Sequence, residues 1–314
     1  MFTYFARRLT TALLTIFLSA VLVFCALLAI PGDPAQAILG MSASPTALAA
    51  LRNQLDLNTP PLQRFFKWFS SAMRGDLGKS LQFKKSVASL MSERFGVSLV
   101  MSIAGSLLAC LIAVPLGIFA ALNRNNSLDP LISATSQLGA AIPSFWLGLM
   151  MILLFSVELG WLPVVGFKPW ERDPNAYIRS LIMPVLALGL GQAAVITRMT
   201  RAAMLETLLQ DYTRTARGKG LRQSTVVWKH ALRNALITIV TILGISISGI
   251  LIGSIIIEQI FSVPGLGSLT LTAVKNRDFP LLQGQILVYA SLIVLINFLV
   301  DMSYSFLDPR VRYE

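Results

Sequence analysis

Apolar residues gather into six long runs, about 9–30, 98–122, 131–157, 180–197, 235–257 and 281–300, and none of the six contains a charged side chain. An α-helix needs about 20 such residues to cross a hydrocarbon layer roughly 30 Å thick. A backbone crossing lipid must also satisfy its own hydrogen bonds, so the pattern predicts six transmembrane helices. The first run follows Arg7 and Arg8 as a signal-peptide core would. Its 22 residues exceed such a core, and no small-x-small cleavage site clearly follows, so it reads as an uncleaved span.

Two of the intervening segments are patterned. In 31–95, Pro31, Gly32 and Pro34 end the first helix, and Ser44 caps a short helix that has Pro45 in its first position. In "TPPLQRFFKWFSSAMRG", Thr59 is the expected cap and Gly75 the stop. Between them Leu62, Phe65, Phe66, Phe69 and Met73 form an apolar stripe. That stripe suits either a small cap packed on the spans or a helix lying in the membrane surface. In 199–234, Leu205, Leu208, Leu209, Tyr212 and Ala216 share one helical face. Gly218 and Gly220 then interrupt the helix. A second helix, capped by Ser224, presents Trp228, Ala231, Leu232 and Ala235 and runs into the fifth span. A helix, a glycine turn and a helix continuous with two spans can carry a push into the membrane. Physics alone leaves this docking surface open against a plain solvated loop.

Composition supports the membrane reading, with 55% hydrophobic and 13% charged residues, against about a quarter charged in soluble domains. The net charge of +11 admits an anionic partner such as nucleic acid, but it also fits the bias of basic residues toward the cytoplasmic side. The latter orients the chain with both termini cytoplasmic. Arg7, Arg8, Arg124, Arg310 and Arg312 then lie inside, with eight bases in 198–233: Arg198, Arg201, Arg214, Arg217, Lys219, Arg222, Lys229 and Arg233. Lys168, Arg172, Arg179, Lys275 and Arg277 fall outside. Cys25 and Cys110 both sit in apolar runs, with no disulfide or metal spacing.

"DYTRTARGKGL" (211–221) followed by "HALRNAL" resembles the EAA loop of ABC importer permeases, in the form found in the dipeptide/oligopeptide/nickel family. "PGDPA", "LRNQLDLNTPP", "GDLGKSL", "SVELGWLPVVG", "FSVPGLGSL", "NRDFP" and "NFLVDMSYSFLDPRVRY" are similar to the same family in the same order. Arg214, Thr215, Ala216 and Gly220 match the motif core. Arg214 stands where the general pattern has Glu, and Ile237 where the family often has Pro.

The resemblance implies an all-α, type I ABC importer permease fold in the bacterial inner membrane. Its parts would be an N-terminal transmembrane helix (1–30), a periplasmic insert (31–95), a five-helix core (95–305) and a cytoplasmic tail (306–314). The chain would be half of a translocation path for small peptides, including glutathione, with nickel or metallophore complexes as the alternative cargo. It would pair with a second, homologous permease. Two ATPases would bind at the coupling loop, and a periplasmic or lipid-anchored binding protein on the other face. The coupling residues would be Asp211, Tyr212, Arg214, Thr215, Ala216, Arg217, Gly218, Lys219, Gly220 and Leu221. No cofactor is expected on this chain and no nucleic acid as partner; ATP and Mg would be used by the ATPases.

Gln137, Gln192, Gln285 and Asn297 are candidate path-lining residues, or else interhelical hydrogen-bonders. Glu158, Glu258, Asp301 and Asp33 lie at span ends, where interfacial or capping roles are expected. "PGLG" lacks the context of a phosphate loop and reads as a turn or short re-entrant element. A metalloprotease would need HExxH, yet His230 is the single histidine, and an aspartyl type would need a partner for Asp301 within the spans. A secondary transporter would show coupling-ion carboxylates in its spans and repeated halves. Neither is evident.

Overall fold

The computed structural model describes residues 2–307 apart from 30–32, 41–42, 125 and 127. Pro31, Gly32 and the tail from 308, with Arg310 and Arg312, lie outside the described residues. Helix α1 (Phe2–Leu28) leads to three short helices, α2 (Pro34–Leu39), α3 (Pro45–Gln54) and α4 (Pro61–Met73). The long α5 (Val87–Leu122) follows, starting ahead of the boundary expected at 95. It is paired with α8 (Pro174–Leu208), one residue shorter, as the most extensive helix contact among the described residues. Small residues permit the close approach: a Cβ on Gly117 would lie 2.7 Å from the Thr197 carbonyl oxygen, and one on Gly105 would lie 3.3 Å from Leu188 Cβ. Helix α11 (Leu232–Ile260) packs across both, α13 (Phe279–Leu307) packs on α11 and α1, and the short α12 (Leu266–Lys275) sits between α11 and α13.

Among the described residues, five helices are long and apolar enough to span, and a sixth span exists if a bent pair counts as one. The third apolar run was expected as a single helix. It is instead α6 (Leu128–Ala141) and α7 (Ser144–Met151), with a π-helical continuation Ile152–Glu158 and a bend of 91° between the halves. Pro143 is the cause, since it brings no N–H, clashes with the preceding turn and keeps Ile142 out of helical geometry. Pro143 becomes the N-terminal flank of α7.

The segment before α5 is tied down at several points. Ser44 Oγ accepts from Ala47 N at 3.2 Å, as its cap role requires. Asp33 holds Arg52 at 2.6 Å and Asp56 holds Lys67 at 2.5 Å. Thr59 does not cap α4: the chain enters through Pro60, which offers no side-chain acceptor. The stripe expected on α4 is also displaced. Phe65, Trp68, Phe69 and Ala72 pack with Phe17 and Phe24 of α1, while Leu62, Phe66 and Met73 are exposed. Leu62, Phe66 and Met73 adjoin Phe65 and Phe69 around the helix, at i+3 and i+4 spacings, so one stripe divides into two parts, the first packed on α1 and the second exposed. The first of them forms a cap on a span.

Candidate functional site

Helix α8 stops at Leu208, and Gln210 is extended, which starts a new helix, α9 (Asp211–Gly218), at an angle the backbone sets locally. The stripe from Leu205 to Ala216 is therefore not one helical face; the break lies within it and leaves Leu209 exposed. Asp211 places a carboxylate in the first turn of α9, where the helix dipole favours it. The inner face of α9 is made of two small residues one turn apart. Thr213 is fully buried, its hydroxyl donating to the carbonyls of Leu208 (2.9 Å) and Gln210 (2.7 Å), and Ala216 is buried beside it. Everything else expected in the coupling set points away: Asp211, Tyr212, Arg214, Thr215, Arg217, Gly218, Lys219, Gly220 and Leu221 are all exposed.

The two glycines play different parts. Gly218 is the last helical residue, with open space around it, and does not break the helix as expected. Gly220 has φ +76, donates to Arg217 O at 2.9 Å and is followed by Leu221 N donating to Ala216 O at 3.3 Å. These two bonds form a Schellman closure, in which a residue with left-handed backbone terminates the helix. The chain then enters α10 (Gln223–Thr225) from Arg222, not from a Ser224 cap, and continues through a π-helical turn, Val226–Ala231, into α11. The wider turn shifts the helical phase. Val226, Val227 and Ala231 are consequently buried while Trp228, expected inside, is exposed.

Beneath the elbow, Ile118 and Ala121 of α5, Met204 and Leu208 of α8, and Val227, Ala231 and Ile239 form one buried cluster. The elbow is thus a cationic outer surface bolted to three long helices. Its one ion pair among the described residues, Arg214–Asp211 at 3.7 Å, is exposed and weak. Arg217, Lys219 and Arg222 are left for an external acid.

The path candidates are not brought together. Gln137 and Asn297 are exposed on α6 and α13. Gln192 lines a cavity of about 200 Å³ with Ser144, Gly191 and Gly249. Gln285 is fully buried and donates from Nε2 to Leu266 O at 3.2 Å, so it secures α12. Asp301 pairs with Arg8 at 3.1 Å, joining α13 to α1.

At the opposite end of the bundle from α9, the sequence hid a second cluster. Ser98 Oγ donates to Glu258 Oε1 at 2.6 Å, Ser268 N donates to Glu258 Oε2 at 2.9 Å, and Leu266 N donates to Ser98 Oγ at 2.7 Å. The fully buried Glu258 thereby caps α12 from outside its own chain segment. A Cβ on Gly265 would overlap that carboxylate, and one on Gly267 would overlap the Ile255 backbone. "PGLG" is therefore glycine-rich because a carboxylate and a helix backbone come against it. The signal in the sequence was the pair of glycines soon after Glu258; its partner Ser98 lies 160 residues earlier.

Residues 113–313 match the model of the binding-protein-dependent transport system inner membrane component, and residues 1–102 match its N-terminal companion. A putative peptide transport system permease protein of Brucella abortus is 38% identical over 308 residues, covering 98% of both chains. A glutathione transport system permease protein of Escherichia coli O6:H1 is 40% identical over 314 residues, covering 100% of both. Among solved structures, the inward-facing methionine ABC transporter superimposes with a TM-score of 0.57 at 18% identity, over 70% of this chain and 96% of that one.

Proposed function

The chain belongs to the family of binding-protein-dependent transport system inner membrane components, and from that membership we propose that it forms half of an ATP-driven import path for small peptides, with α9 as its lever. As an ABC importer permease it is a multi-pass protein of the bacterial inner membrane, carrying cargo across while ATPase subunits hydrolyse ATP. Its family works with ATPases, another permease and a binding protein. The finer assignment places both termini and α9 in the cytoplasm, with a homologous permease alongside and a binding protein against the 31–95 insert. ATP and Mg act in the two ATPase subunits seated on the elbow.

The observation that carries this reading is the construction of the elbow. A lever must be exposed where it is gripped and packed where it transmits, and α9 exposes its basic residues while Thr213 and Ala216 are buried on the side where α9 meets the end of α8 and the π-helical turn Val226–Ala231 that leads into α11. Small peptides are favoured over nickel as cargo by the names of the relatives, which transport peptides and glutathione. Gly220→Leu tests the lever. A side chain in left-handed backbone costs about 1–2 kcal/mol and would re-aim the tip without touching the spans. The expected outcome in vesicles is normal insertion and basal ATP hydrolysis with peptide uptake reduced at least several-fold. Full uptake at unchanged coupling contradicts the assignment.

A further inference from the structure

Between the end of α1, the insert and the start of α13 lies a cavity of about 810 Å³. Its floor is apolar, built from Phe24 and Leu27 at the end of a membrane-spanning helix. Side chains of Trp68 and Gln283 contribute to its walls. Trp68 Nε1 and Gln283 Nε2 are buried and have no acceptor. The Arg64 guanidinium lies 5.2 Å above the centre of the Phe24 ring, and neither it nor Lys79 has a carboxylate in ion-pairing range among the described residues.

The acids that line the same cavity are already engaged. Asp33 holds Arg52, Asp56 holds Lys67, and Asp76 accepts from Gly78 N at 2.9 Å. Two cations without an ion-pair partner on the walls of one cavity suit an oxyanion with several acceptor oxygens. The setting says where that oxyanion comes from. Helix α4 exposes Leu62, Phe66 and Met73 while Arg64, Lys67 and Trp68 flank the cavity. Apolar residues, bases and a tryptophan on one short helix are the composition of an element lying at a lipid headgroup layer. We propose that this cavity is a binding site for the phosphate of an anionic phospholipid, held by Arg64 and Lys79, with its first acyl carbons on Phe24 and Leu27. A lipid held there would bridge α1, the insert and α13.

The test uses the full transporter, stripped of lipid in a neutral detergent and titrated with phosphatidylglycerol, with occupancy read by native mass spectrometry and stabilisation by thermal unfolding. Wild type should retain the lipid and gain in melting temperature. Arg64→Gln and Lys79→Gln should each weaken retention about tenfold and lose the thermal gain. The second variant changes an exposed side chain and keeps the Arg64–Phe24 contact should the first fail to fold. Glycerophosphoglycerol, the same headgroup without acyl chains, and a dipeptide serve as soluble competitors. Lipid retention unaffected by both variants overturns the proposal. Equal binding of either soluble competitor, lost in Arg64→Gln, identifies a site for a free anion and overturns the lipid assignment.

Discussion

Single residues here do work that neighbouring residues of the same type do not. Gly220 is required by its backbone, whereas Gly218 is an ordinary helical position with room for a methyl group. Polar residues divide in the same way. Asp33 caps α2 and holds Arg52, and the guanidinium keeps its carboxyl below the usual aspartate range, with the Ala35 N–H adding to the effect. A carboxyl whose folded pKa is depressed contributes stability that is present above its unfolded value, about 4, and is lost as pH falls through the lower folded value. Because the pair is exposed, the effect is small. In thermal unfolding scans, wild type should lose an increment of stability below about pH 4, and Arg52→Gln should show a shallower decline. Equal slopes contradict the assignment of Asp33.

Helix by helix, packing decides what pattern alone left open. Phe65 of α4 is buried among Phe17, Phe24 and Phe69, so Phe65→Ala should cost about 3 kcal/mol and free the insert to early proteolysis while the core stays protected. Protease resistance equal to wild type would contradict the packed cap. Helix α12 makes the complementary case. Gly267→Ala drives a Cβ into the Ile255 backbone, a clash expected to cost about 1–3 kcal/mol. Gly96→Ala, in open space on helix α5, should be neutral or stabilise by up to about 1 kcal/mol. Melting temperatures of the two variants settle the comparison; indistinguishable values would refute the close approach at α12.

The spans were legible because lipid demands long uncharged runs, and the elbow because its motif and its glycine turn are local. The bend before Pro143 had its cause in plain view inside an apolar run. The phase of Trp228 was not legible, since the π-helical turn that contains it changes the local phase without changing composition. Nor were the ties of Ser98 to Glu258 and of Ser80 to Asp278, which join residues 160 and 198 positions apart. One sequence records neither partner of such a pair.

At the scale of the whole molecule, the cationic elbow and the Glu258 cluster sit at opposite ends of α11, and α5 takes part in both. A displacement of α9 therefore acts on helices that reach the other face. Pulling there needs a partner that grips the elbow, and this is the central claim. A photo-crosslinking amino acid at position 212 or 217, both exposed on α9, should capture the ATPase subunit in the assembled transporter, with a yield that changes on ATP binding. The same group at position 66, exposed on α4, should capture no ATPase. Absence of ATPase crosslinks from both α9 positions, in a complex that still imports peptide, would contradict the account.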